Sequence, residues 1–106
     1  MTTLKLRKEM FPMIYSGVKT STSRQGVREI DTQQKLRFVM TEDESISTEV
    51  IVTNVKYCKF NELTQDEAVK EGYSSLKELQ DKLSEIYDIS KDDTFTIIEF
   101  ITPYQS

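Results

Sequence analysis

At Gly17-Val18-Lys19-Thr20-Ser21-Thr22-Ser23-Arg24 the chain passes from a compact apolar run into a polar, β-branched one. The run before it, Phe11-Pro12-Met13-Ile14-Tyr15, fits a short helix. Pro12 falls in its first turn, where a missing N–H costs little, and Gly17 supplies the C-terminal stop. Lys19 to Arg24 follows as a strand-permissive segment. Helix and strand thus meet without a linker, which sets an α+β class for the region.

Outward from this junction the pattern continues in kind. Upstream, Leu4-Lys5-Leu6-Arg7 alternates as a strand does. Downstream, Gln25 to Gln34 has no sustained period, and an irregular connection of that length in a short chain is a candidate lid. Leu36, Phe38 and Met40 alternate with Lys35, Arg37 and Val39, the mark of a half-buried strand. The acidic Thr41-Glu42-Asp43-Glu44-Ser45 is expected to be a solvated turn. Glu49 to Tyr57 carries apolar residues on both faces around Val50-Ile51-Val52, as in a strand covered on two sides of a closed or barrel-like sheet.

The second half is better punctuated. Thr64-Gln65-Asp66-Glu67 is a capping box, with Leu63 and Ala68 placed as a hydrophobic staple, and Gly72 ends the helix. Ser75 and Glu78 open a further helix whose stripe is Leu76, Leu79, Leu83, Ile86 and Tyr87. Thr94 to Ile101 is a last strand, apolar on both faces. The expectation is one domain over 1–106: a small mixed barrel with two or three short helices packed on it.

Composition removes several kinds of function. A chain of 106 residues supports one core and a cleft for a small or partly enclosed ligand. No run approaches the ~20 apolar residues of a membrane span, and Met1-Thr2-Thr3-Leu4-Lys5 lacks the apolar core of a signal peptide. A cytoplasmic protein with no membrane partner is expected. There is no histidine, hence no imidazole base or imidazole zinc ligand, and the single Cys58 allows neither an internal disulfide nor a thiolate cluster. No metal or other cofactor is expected. With 14 Lys+Arg against 18 Asp+Glu the formal charge is -4, the wrong sign for general coating of nucleic acid. Yet Lys5, Arg7, Lys8, Lys19, Arg24, Arg28, Lys35 and Arg37 crowd the first third, where a basic face can receive a nucleotide or an RNA loop.

Lys19, Thr22 and Arg24 form the most distinctive polar cluster. A hydroxyl nucleophile needs a base, and without histidine the available one is a lysine made less basic by burial or by a neighbouring cation such as Arg24. In a regular strand, however, Lys19 and Thr22 point to opposite faces. They converge only if Lys19 still belongs to the turn after Gly17 or if a bulge intervenes; otherwise these are exposed residues of an edge strand. Glu71, in the last turn before Gly72, faces the negative end of the helix dipole, which suits a proton donor, or is a plain exposed helix-end carboxylate. Cys58, at a strand end with no base near it in sequence, fits core filler better than a nucleophile. Tyr15, Tyr57, Tyr73, Tyr87 and Tyr104 can stack a base or simply pack, with Tyr73 nearest in sequence to Glu71.

The order Gly17-x-Lys19-Thr20-x-Thr22-x-Arg24, then Glu71-Gly72 and a closing Ile98-Glu99-Phe100, resembles the ASCH family of PUA-like domains over about Phe11 to Phe100. Thr at the sixth motif position, where typical members carry Glu, looks like the bacterial N(4)-acetylcytidine amidohydrolases of that family. The resemblance implies Lys19 as proton acceptor, Thr22 as nucleophile and Glu71 as proton donor; Arg24, Thr20 and Tyr73 are expected to bind the substrate. The main rival it implies is an RNA-binding module, and a third reading is a ribonuclease or a regulatory binder of a nucleotide-like ligand. Two departures stand out: Gln33-Gln34 replaces the usual Gly-Asp turn, and the apolar motif positions are here Ser21 and Ser23.

Overall fold

The computed structural model describes residues 1–103. Strand β1 (Thr2–Leu6) leads through a 3-10 turn (Lys8–Met10) into helix α1 (Phe11–Ser16), then β2 (Ser21–Gln25), β3 (Lys35–Met40) and β4 (Asp43–Lys59). A second 3-10 turn (Phe60–Glu62) precedes helices α2 (Gln65–Lys70) and α3 (Leu76–Ile86), and β5 (Thr94–Ile101) closes the order. Local chemistry sets these boundaries. Pro12 lies in the first turn of α1, and Gly17 caps it with φ 82°, a left-handed conformation open to a residue without Cβ. Thr64 Oγ1 accepts the Glu67 N–H while Glu67 reaches back to Thr64, so the capping box of α2 is complete.

One five-stranded mixed sheet in the order β1-β3-β4-β5-β2 curls into a half-barrel, parallel only between β1 and β3. Consecutive residues of β5 are buried on opposite faces, as its sequence implied. Ile98 and Phe100 join Leu4, Phe11, Ile14, Phe38 and Val50 in one cluster, while Phe95 and Ile97 meet Leu79 and Leu83 of α3 in the other. A register shift between Val52 and Asn54 kinks the long β4, so that one strand serves both clusters. No helix among the described residues is long and apolar enough to cross a membrane.

Three expectations change in detail. β4 begins at Asp43, because pairing to β3 extends the hairpin into residues that remain exposed. The acidic turn shrinks accordingly to Thr41 and Glu42. The connection after β2 is pinned down: the Gly26 N–H donates to Thr94 O (2.8 Å), Tyr57 Oη to Arg28 O (3.0 Å) and the Gln33 N–H to Val52 O (2.7 Å), with Ile30 buried beneath. Gln33 takes φ 70°, the left-handed conformation that a glycine at this turn adopts freely. Third, the barrel does not close: β1 and β2 are the outer strands, and no backbone ladder joins them.

Candidate active site

The open seam between β1 and β2 is where the polar residues gather. Lys19 lies before β2, in the turn after Gly17, its N–H donating to Met13 O (2.9 Å). The next residue leaves that turn: the Thr20 N–H donates to Lys70 O (2.7 Å) at the end of α2, and Thr20 O accepts the Phe100 N–H (3.0 Å) of β5. Strand alternation therefore does not govern Lys19, and the conflict with Thr22 disappears.

Because β2 pairs with β5 on one side only, the backbone groups of Ser21 and Ser23 point into the seam. Lys19 Nζ caps the first of these, donating to Ser21 O (2.8 Å) and also to Glu71 O (3.1 Å). Glu71 covers the second: the Ser23 hydroxyl donates to Glu71 Oε2, and the Ser23 backbone adds to the hold. Arg24 spans the seam itself, Nη2 donating to Lys5 O of β1 (2.8 Å). Side chains thus bridge the opening that the ladder leaves.

Glu71 owes its inward position to its neighbour. Gly72 has φ 96°, and a Cβ there would sit 2.8 Å from Met13 Sδ. The close approach of α1 and the end of α2 turns Glu71 toward the sheet, where it is 3% exposed, rather than toward solvent. Lys19 is equally buried, at 3%.

Burial dominates the electrostatics. Desolvation lowers the Lys19 ammonium to about 8; Glu71 pulls it back up, and Arg24 pushes it further down. The Glu71 carboxyl is raised above the usual carboxylate range by desolvation, against the attraction of Lys19 and the Ser23 hydrogen bonds. Tyr73 rises to about 12, chiefly through burial.

A cavity of about 310 Å³ opens at this seam. Lys19, Thr22, Ser23, Arg24, Glu71 and Tyr73 form its polar wall, with Leu6, Met10, Leu83, Ile86 and Tyr87 as an apolar one. Five of the six residues picked from the sequence meet here. Thr20 does not: both its backbone groups are spent joining α2 to β5, and it lies outside the cavity wall. Thr22 is buried on the wall, but Lys19 Nζ hydrogen-bonds to two carbonyls and not to the Thr22 hydroxyl. The connection from Gln25 to Gln34 is also absent from the wall, which removes the lid.

Sequence reasoning passed over one contributor, Ser23, although a hydroxyl at an apolar motif position was itself the signal. Tyr87, read both as part of the α3 stripe and as a tyrosine able to stack a base, lines the cavity beside Arg24. Cys58 stays outside, half-buried against the α3 cluster, its thiol pushed up to about 11 by burial and by Glu67. Tyr104 lies outside the described residues.

The family model for the ASCH domain matches residues 2–102. The chain belongs to the ASCH domain family. Solved structures share the fold of this ASCH domain at low identity. An ASCH domain from Lactobacillus crispatus JV V101 superposes with a TM-score of 0.78 at 14% identity, over 94% of this chain and 79% of that one. The ASCH protein of Zymomonas mobilis gives 0.72 at 13% identity, over 97% and 73%. A protein of Enterococcus faecalis V583 gives 0.74 at 14%, over 89% of this chain, which spans 66% of that longer one. No curated protein matches in sequence.

Proposed function

We propose that this ASCH domain is an amidohydrolase that removes the acetyl group from a modified nucleoside of the N(4)-acetylcytidine kind. The observation that carries the reading is the burial of Lys19 and Glu71 in one cavity wall with Thr22, each with its acid–base equilibrium moved toward the neutral form. A lysine near 8 supplies neutral amine close to physiological pH, and a carboxyl raised above its usual range supplies a proton.

Lys19 Nζ is oriented for this work. In the neutral amine the two N–H groups satisfy Ser21 O and Glu71 O, so the lone pair occupies the one remaining tetrahedral position. With substrate in place, Lys19 takes the Thr22 proton, and Thr22 Oγ1 attacks the acetyl carbonyl. Glu71 protonates the exocyclic nitrogen as the C–N bond breaks, releasing cytidine and leaving an acetyl ester on Thr22. Water, losing a proton to the carboxylate, then cleaves the ester to acetate and restores the Thr22 hydroxyl with the proton held by Lys19. Arg24 stabilises the oxyanion in both halves. The Lys19–Thr22 hydrogen bond forms in the substrate complex, as such contacts often do.

The cavity volume fits a nucleoside rather than a polymer, lying at the lower end of the roughly 300–1,000 Å³ of small-molecule sites. Tyr73 and Tyr87 give it aromatic walls for a base. Lys19→Ala is expected to abolish release of cytidine from N(4)-acetylcytidine, followed by chromatography, while circular dichroism reports an intact fold; retained turnover would overturn the reading. One observation favours an RNA-binding module instead: Lys5, Arg7, Arg24 and Lys82 all reach the cavity wall, against Glu9 and Glu71. Its mark is RNA affinity that falls steeply with salt while acetylcytidine goes unconsumed. A cytoplasmic location accords with either.

A further inference from the structure

We infer that Ser23 is a positioning residue that sets which oxygen of Glu71 carries the transferable proton. The inference rests on the amidohydrolase reading and concerns a side chain outside the Lys19, Thr22, Glu71 set. Two observations on this chain converge on it. Ser23 is 5% exposed, on the cavity wall beside Thr22. Its hydroxyl donates to Glu71 Oε2.

The chemistry follows from hydrogen-bond direction. An oxygen that accepts from Ser23 is the less basic of the two, so when the carboxyl is protonated the proton favours Oε1. A carboxyl without such a partner interconverts between two protonated oxygens and two side-chain torsions. Fixing one of them holds the acid where the leaving nitrogen arrives. The same bond restrains the acidity: donation to the anion opposes the upward push of burial. Ser23 therefore both aims Glu71 and keeps its carboxyl from becoming too weak an acid to give the proton up.

Ser23→Ala and Ser23→Thr test this, the second keeping the hydroxyl. With carboxyl carbons of glutamate labelled and the Glu71 resonance assigned by Glu71→Gln, NMR titration of Ser23→Ala should move the Glu71 midpoint up by about one pH unit, the worth of a hydrogen bond to a charged group. Ser23→Thr should return it. On N(4)-acetylcytidine, Ser23→Ala should lower kcat about tenfold with KM little changed and carry the alkaline limb of the pH profile upward. A Glu71 midpoint that does not move overturns the inference whatever the activity does. A shift in the midpoint with kcat unchanged overturns the proton-aiming role. Wild-type protein that never hydrolyses acetylated nucleoside sinks the amidohydrolase reading instead, and the titration still decides whether Ser23 holds Glu71.

Discussion

At Lys19, one ammonium carries two loads. It donates to the carbonyls of Ser21 and Glu71 across the seam, and its burial lowers it to about 8. If the neutral amine is the base, hydrolysis should rise with pH through about 8, because only the deprotonated fraction can take the Thr22 proton. Glu71→Gln should move that rising limb lower, since the carboxylate is the group that pulls Lys19 up; the residual rate of the variant against pH checks it. Arg24 acts on the same equilibrium with the opposite sign. Lys19 and Glu71 were legible as candidates because each sits beside a glycine stop. Their shared burial was not, since it depends on the α2 carbonyl that Lys19 reaches 52 positions along the chain.

Among the elements, α2 is short, and its hold on the sheet comes from charge as well as packing. Lys56 Nζ lies 3.4 Å from Glu67 Oε1 and 3.7 Å from Glu99 Oε1, and Lys70 Nζ lies 3.4 Å from that same Glu99 oxygen. This ladder ties α2 to β4 and β5 one turn before Glu71. At Gly72 a Cβ would press on the flexible end of the Met13 side chain, and the backbone has φ 96°. Gly72→Ala is expected to cost about 1–3 kcal/mol in urea unfolding, chiefly from the left-handed backbone. It should cut turnover further than the stability loss explains, by rotating Glu71 away from the cavity. Gly72, Gly17 and the two serine/threonine caps were readable because helix ends are written in a few adjacent residues. The start of β4 was not, because what carries β4 back to Asp43 is pairing across a hairpin rather than any local preference.

For the whole molecule, Lys19 should leave its mark on stability against pH. Its folded value of about 8 lies below the 10.5 of an unfolded lysine, so between them the unfolded chain binds a proton that the native one lacks. Stability then rises with pH in that window, and below it the native state bears the burial of a charge, a cost of about 3 kcal/mol. Cys58 has the reverse sign, since its thiol moves from 9.0 to about 11 and the unfolded chain loses its proton first. The Glu71 carboxyl, raised in the fold, also opposes, beginning from 4.5. The expected outcome is urea stability that climbs between about pH 8 and 9 and stops climbing above, with Lys19→Met flattening the climb. The α+β class and the two-faced burial of β5 could be seen in advance, because apolar pattern reports burial directly. The open seam could not: the order β1-β3-β4-β5-β2 is decided by long-range pairing, and nothing local distinguishes a closed barrel from one that stops a strand pair short.

That seam has a consequence for how β2 behaves toward other chains. An outer strand with free amides and carbonyls invites a second copy to add to it. Here Lys19 and Glu71 occupy those very groups. Losing both would uncover a template for strand addition, so a descendant that no longer turned over any substrate would still be under pressure to keep the pair as a guard against self-association.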